Sequence, residues 1–253
     1  APVSIIVGTV VPVDSADAAI RAIEKAQPGD VITFAPGAYH FEGRPYLATS
    51  SASGVTVRAA TPGTVFLEFS LREGFLVTSP NWTFENLNIR GACKAHKECE
   101  HAFHVIGRGE GFVARNNTLA DFNTHFKIGG TAATYPDRGV IEGNTISNTR
   151  ARATTAPVSA VDLVAASNWT IRANLVSDIA KAQGDRISYG AQARGGGKAN
   201  RFERNVVVCE NKLRAGQGQR VGLSFGGSGS LAVECRGKRC GPEQDGGVID
   251  SNL

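Results

Sequence analysis

Methionine is absent from the 253 residues, and tryptophan occurs only twice. Without an initiator methionine, Ala1-Pro2-Val3 read as a mature end left by signal-peptide removal, which points to a secreted or periplasmic protein. No run approaches the roughly 18 consecutive apolar residues of a spanning helix, so neither a transmembrane segment nor a membrane partner is expected. Aromatics make up 7% and are not interleaved with the basic residues as stacking platforms, which argues against nucleic acid. No Lys-Ser/Thr follows the glycine runs at Gly195-Gly196-Gly197 and Gly226-Gly227, so these are tight turns rather than phosphate loops. With 42% hydrophobic and 20% charged residues, the chain has the composition of a folded globular protein.

What is abundant is glycine, at 30 residues, and positive charge in one place. The net charge is +4, yet the window from Arg186 to Arg220 holds eight Lys/Arg against Glu203 and Glu210, a balance of +6. A cationic segment on a near-neutral body suggests an anionic partner. The five cysteines include two close pairs in polar, loop-like sequence. Cys93 with Cys99 and Cys235 with Cys240 are expected to close short disulfide loops, in keeping with an oxidising compartment. Cys209 is left over, either buried at the end of the strand Val206-Val207-Val208 or paired with a segment beyond this chain.

The fold is written in a repeat. Asn81-Trp82-Thr83 recurs as Asn168-Trp169-Thr170, and related segments place an asparagine at 86, 116, 144, 174, 205 and 252. The intervals are 30, 28, 30, 31 and 47 residues, the last fitting one coil plus an insertion around Cys235 and Cys240. Such a period describes a solenoid. Alternating apolar and polar residues, β-branching and Gly/Asn punctuation make its elements strands. The fold expected is all-β: a single right-handed parallel β-helix domain over residues 1–253, its recurrent asparagines serving as left-handed turn residues and stacking into an internal amide ladder. The Asn-X-Thr sequons lie on these strands and read as repeat chemistry. A cap helix is expected over residues 14–26, started by Asp14 or Ser15, after which Val31-Ile32-Thr33-Phe34 opens the first coil. Leu253 falls within a repeat strand, so a further segment or a second chain is expected to cover the last coil.

Gln27-Pro28-Gly29-Asp30-Val31-Ile32-Thr33-Phe34-Ala35-Pro36-Gly37-Ala38-Tyr39 after a cap helix, followed by Asn-bearing coils, resembles the pectin-lyase-like right-handed β-helix superfamily. Within it, the N-terminal run looks most like polysaccharide lyases of the alginate lyase and chondroitinase B type. The resemblance covers nearly the whole chain at fold level and implies a lyase acting on an acidic, uronate-containing polysaccharide. The resembled lyases use a Lys and an Arg on adjacent coils and can bind Ca²⁺. No Asp cluster marks a Ca²⁺ site in this sequence, and no metal or cofactor is required by its residues.

Alternation points one side chain in two outward along each strand. Stacking the coils then gives an outward column of His104, Lys127, Asp162, Ser188 and Ser224, with His125 two residues from Lys127 on the same face. β-Elimination from a uronate needs its carboxylate charge balanced, a base for the C5 proton and an acid for the leaving oxygen. Lys127 is the expected base or carboxylate clamp, with His104 or His125 in proton transfer and Asp162 beside Lys127. One coil after Lys127 stands Asp162 rather than an arginine, so the Arg role falls to Arg186, Arg194 or Arg138 at the loop edges. Arg186 and Arg194 are expected to bind acidic sugar, with Ser188 and Ser224 lining the same face; Tyr189, turned inward by alternation, reads as a core residue or, if it reaches the sugar, as a substrate-binding acid or base. His96 and His101, flanking the first cysteine loop, read as surface residues. A C5-epimerase shares the proton abstraction. A glycoside hydrolase would need a second carboxylate, from Asp121 or Asp137. A non-catalytic glycan-binding β-helix would keep the cationic face alone.

Overall fold

The structure is a computed structural model that describes residues 8–131, 133–214, 216–227 and 229–253. The proposed mature end, Ala1-Pro2-Val3, lies outside the described residues. Among the described residues, the coils stack their strands into three parallel sheets, one of nine strands and two of seven, and Gly197–Lys198 pairs separately with Gln244–Asp245. We call the nine-stranded sheet A, the seven-stranded sheet from Gly37–Phe41 to Val206–Val208 sheet B, and that from Leu47–Ala48 to Gln219–Phe225 sheet C. The chain is thus the parallel β-helix read from the repeat, and sheet C carries the outward column.

Two boundaries differ from the sequence reading. The first strand of sheet A is Val10–Val13, which pairs with Val31–Phe34, so a strand precedes the cap helix. The helix runs Ala16–Glu24, with the Ser15 hydroxyl accepting from the Ala18 N–H at 3.3 Å, and it buries Ala19 and Ile23 against the first coil. Gln27 and Pro28 lie beyond its end.

Inside, aromatic rings pile up along the axis. Phe75, Phe103 and Phe126 stack at centroid distances of 5.3 and 5.1 Å, because their strands align them in register. Trp82 and Trp169 are fully buried, and their indole N–H groups donate to the carbonyls of Ala52 and Pro136, which explains the repeated Asn-Trp-Thr.

The amide ladder exists, one residue displaced at its start. Its members are Asn117, Asn144, Asn174, Asn205 and Asn252. The carbonyl oxygen of each upper amide accepts from both the backbone N–H and the side-chain N–H of the asparagine one coil below, at 2.8–3.1 Å. The remaining amide proton goes to a backbone carbonyl, as from Asn174 to Ile141 at 2.9 Å. The left-handed turn residue is the position before the ladder: Asn86, Asn116, Gly143, Ala173, Arg204 and Ser251 all have positive φ. Asn86 and Asn116 are therefore turn residues, and Leu87 occupies the first ladder slot, its backbone N–H donating to Asn117.

Both expected disulfides are formed, Cys93–Cys99 and Cys235–Cys240. Cys209 is free and exposed just past the strand Val206–Val208, not buried. Among the described residues no helix is long and apolar enough to cross a membrane.

The ladder predicts a gradient of stability. Asn174→Ala strands several buried polar groups at about 1–3 kcal/mol each, and should lower unfolding free energy by about 3 kcal/mol or more. Asn252→Ala, at the part-buried end of the ladder, should cost clearly less. Urea denaturation checks both, and equal losses would contradict the ladder's role.

Candidate active site

The column on sheet C is set by strand register. His104 pairs with Lys127, Lys127 with Asp162, Asp162 with Gln192, and Gln192 with Ser224. His104, Lys127, Asp162 and Ser224 stand as alternation predicts, but Ser188 does not. It pairs with Val158 and, buried, donates to the Ile179 carbonyl at 2.6 Å. The strand Ile187–Arg194 runs five residues past the expected Ile187-Ser188-Tyr189 segment, and that extension carries Gln192 into the column.

A second departure comes from a break in the sheet C ladder. Pairing steps over a row formed by Gly74, Ala102, His125, Ala160, Gly190 and Gly222. The row is small because it presses on backbone: a Cβ on Gly74 would sit 2.5 Å from the Ala102 carbonyl oxygen, and one on Gly190 2.4 Å from that of Gly222. Strict alternation fails across it. His101 and His104, three residues apart and so on opposite faces of a regular strand, both reach the same carboxylate oxygen. Their Nδ1 atoms lie 3.2 and 3.0 Å from Glu73 Oε1. His101 is therefore a half-buried groove residue, not a surface one. His125 sits in the row itself, wholly buried, donating from Nε2 to the Ser147 carbonyl. Burial, then the nearby Arg152, pushes its pKa down to about 4. It cannot meet a substrate, which removes it from the expected proton-transfer pair. His96 is tied into the loop above, its Nδ1 accepting from Ala153 N–H at 2.7 Å.

Lys127, Asp162 and Arg194 form the charged centre. Lys127 Nζ lies 2.5 Å from Asp162 Oδ2, and Arg194 grips both carboxylate oxygens, Nε to Oδ1 at 3.0 Å and a terminal nitrogen to Oδ2 at 3.2 Å. The Asp162 side chain is fully buried while Lys127 retains 21% exposure. Burial alone would raise the Asp162 carboxyl, but Lys127 and Arg194 outweigh it and hold it below the usual carboxylate range. The other terminal nitrogen of Arg194 donates to the Gly229 carbonyl, Ser230 and Glu234. Arg194 is thus a buried positioning residue rather than an open sugar clamp. Lys127 points into a pocket of about 130 Å³ with Glu100, His101, Asn123 and Thr124. Across Pro157 this pocket adjoins a cleft of about 590 Å³ with Lys181, Asp185, Tyr189, Gln192, Arg194 and Glu234 on its walls. Tyr189 faces this cleft instead of the core, and burial raises its pKa, so it stays a protonated donor.

The other expected binders are dispersed. Arg186 is exposed beside the cleft and bonds Gln217, and Ser224 donates to the Gly226 carbonyl. Arg138 stands at a left-handed turn into sheet A, paired with Glu110. The basic run from Arg186 to Arg220 makes no single cationic face, since about one period of chain wraps all three sides of the coil. Arg201 lies on sheet A against Glu203, Lys198 meets Asp245, and Arg220 meets Glu210. The carboxylates a hydrolase would add are spent on structure. Asp121 accepts from Thr149 and Arg90, and Asp137 binds Arg236 bidentately.

Neither a family model nor a curated protein matches the sequence. Among solved structures, the chain is similar to the alginate lyase from Paenibacillus sp. strain FPU-7, with 13% identity, a TM-score of 0.56, and coverage of 95% of this chain and 99% of that one. It is also similar to the Agl-KA catalytic domain, with 14% identity and a TM-score of 0.55, matching 93% of this chain but only 50% of that one. What is shared at these identities is the parallel β-helix fold.

Removing the buried carboxylate tests the centre. Asp162→Asn leaves Lys127 and Arg194 without their counter-charge and should cost about 3–5 kcal/mol. Because the folded-state pKa of Asp162 is depressed, its contribution is present above the unfolded value of about 3.9 and fades as pH falls through the lower folded value. Urea midpoints of wild type and Asp162→Asn should therefore converge as pH drops below about 4. A constant gap would show that the carboxylate is not held ionised by its neighbours.

Proposed function

We propose that the chain is a secreted polysaccharide lyase that cleaves an anionic, uronate-containing polysaccharide by β-elimination. The observation that carries this reading is the disposition of Lys127, the cation left open to the groove with its counter-ion fixed beneath it. In the reactive form its amine takes the C5 proton. The C5–H bond breaks, C4=C5 forms, the C4–O bond to the leaving sugar breaks, and the protonated Lys127 returns that proton to the departing oxygen. The ammonium so formed is balanced by Asp162, which Arg194 holds in place from both oxygens. Tyr189, protonated in the adjoining cleft, donates to sugar oxygens there. The alginate lyase that shares the fold agrees with an acidic polysaccharide as substrate class. The two disulfides support secretion.

The lyase reading is favoured over hydrolysis because Asp162 is fully buried and doubly ion-paired, leaving it no proton to exchange with a glycosidic oxygen. Absorbance near 235 nm is the test, with alginate, pectate, glucuronan and chondroitin sulfate as substrates. A rise reports the unsaturated uronate, and Lys127→Ala should lower its rate by about a hundredfold or more. New reducing ends without that absorbance would mean hydrolysis instead.

A further inference from the structure

We propose that Glu73, His101 and His104 bind a divalent transition-metal ion at the edge of the groove. One donor atom from each residue lies within 4.8 Å of the others. Glu73 Oε1 is 3.2 Å from His101 Nδ1 and 3.0 Å from His104 Nδ1. With metal–ligand bonds of about 2.0–2.2 Å, neighbouring donors around one ion stand about 3.0–3.4 Å apart, which is the spacing between Glu73 and each of the two histidines. The same three atoms that now share hydrogen bonds can close on an ion with little movement.

The arrangement is built by the fold. The interrupted row at Gly74 and Ala102 turns His101 to the same side as His104, and strand pairing sets Glu73 directly opposite His101. The side chains are 14–24% exposed, screened yet open to solvent on one side. Two imidazoles and one carboxylate suit zinc, cobalt, iron or manganese and disfavour Ca²⁺, which takes oxygen ligands. Three protein ligands leave coordination positions for water or substrate.

His104 is in register with Lys127 on the next coil, about 4.8 Å away. A uronate presenting C5–H to Lys127 can therefore set its carboxylate on the ion. That part in catalysis rests on the lyase reading, whereas the binding does not, and His104 serves as ligand rather than proton carrier.

The test uses the whole chain, stripped with chelator and titrated with Co²⁺, reading visible d–d absorption and bound metal per chain, with Zn²⁺ as competitor. One ion per chain is expected, displaced by Zn²⁺ and not by Ca²⁺. His101→Ala and His104→Ala should each weaken binding at least tenfold, and Glu73→Gln, which keeps the side-chain volume, should do likewise with an unchanged circular dichroism spectrum. Lys127→Ala should bind Co²⁺ as wild type does. Absence of d–d bands, or binding undiminished in all three ligand variants, would overturn the site. Lyase activity that survives removal of the metal would overturn the ion's part in catalysis and leave the lyase reading intact. Metal bound at these residues without activity on any polysaccharide would overturn the lyase reading and leave the site intact.

Discussion

Each buried asparagine in the ladder holds the coil beneath it by two hydrogen bonds, and this contact sets the vertical register on which everything else depends. Asn144, Asn174 and Asn205 are almost fully buried, and their amides are satisfied by one another and by backbone carbonyls. Slipping one coil by a residue would strand those groups at once and flip the outward column into the core. The same register stacks Phe75, Phe103 and Phe126 inside and His104, Lys127 and Asp162 outside. Core and site are two faces of one alignment.

The site also needs a local violation of that regularity. A row of glycines and alanines lets sheet C break its ladder and re-aim the residues before the break. His101 and Tyr189 reach the groove for this reason, although alternation would have turned Tyr189 inward. His125 is the one large side chain in the row, and it is accommodated by burial under the segment that carries Arg152.

Electrostatics follow from the same geometry. A buried carboxylate is costly unless countered, and Asp162 is countered twice, once by a buried guanidinium and once by an amine that still faces solvent. Arg194 thereby fixes the anion, leaving Lys127 as the member of the three able to meet a ligand. The loop beyond sheet C adds to this hold, with Glu234 and Ser230 on Arg194 and Arg236 clamped on Asp137.

Much of this was legible in the chain itself. The spacing of Asn144, Asn174, Asn205 and Asn252 and the repeated Asn-Trp-Thr defined the solenoid, because a stacked coil must place the same residue type at the same point of every turn. Period-two patterning then put His104, Lys127 and Asp162 on one face. The cysteine pairs were recognisable because each closes a short loop. Glu73, His101 and Gln192 were not legible as site residues, nor was the inaccessibility of His125, since all depend on where a ladder breaks and how far a strand extends. The cationic run likewise gave no sign that it would be spread around a coil. Sequence periodicity determined the fold and the central column, for those are set by nearest-neighbour repetition. Which side chains share a groove, and which charges are already spent on one another, was decided by tertiary structure, because those contacts join residues a full coil or more apart through loops that do not repeat.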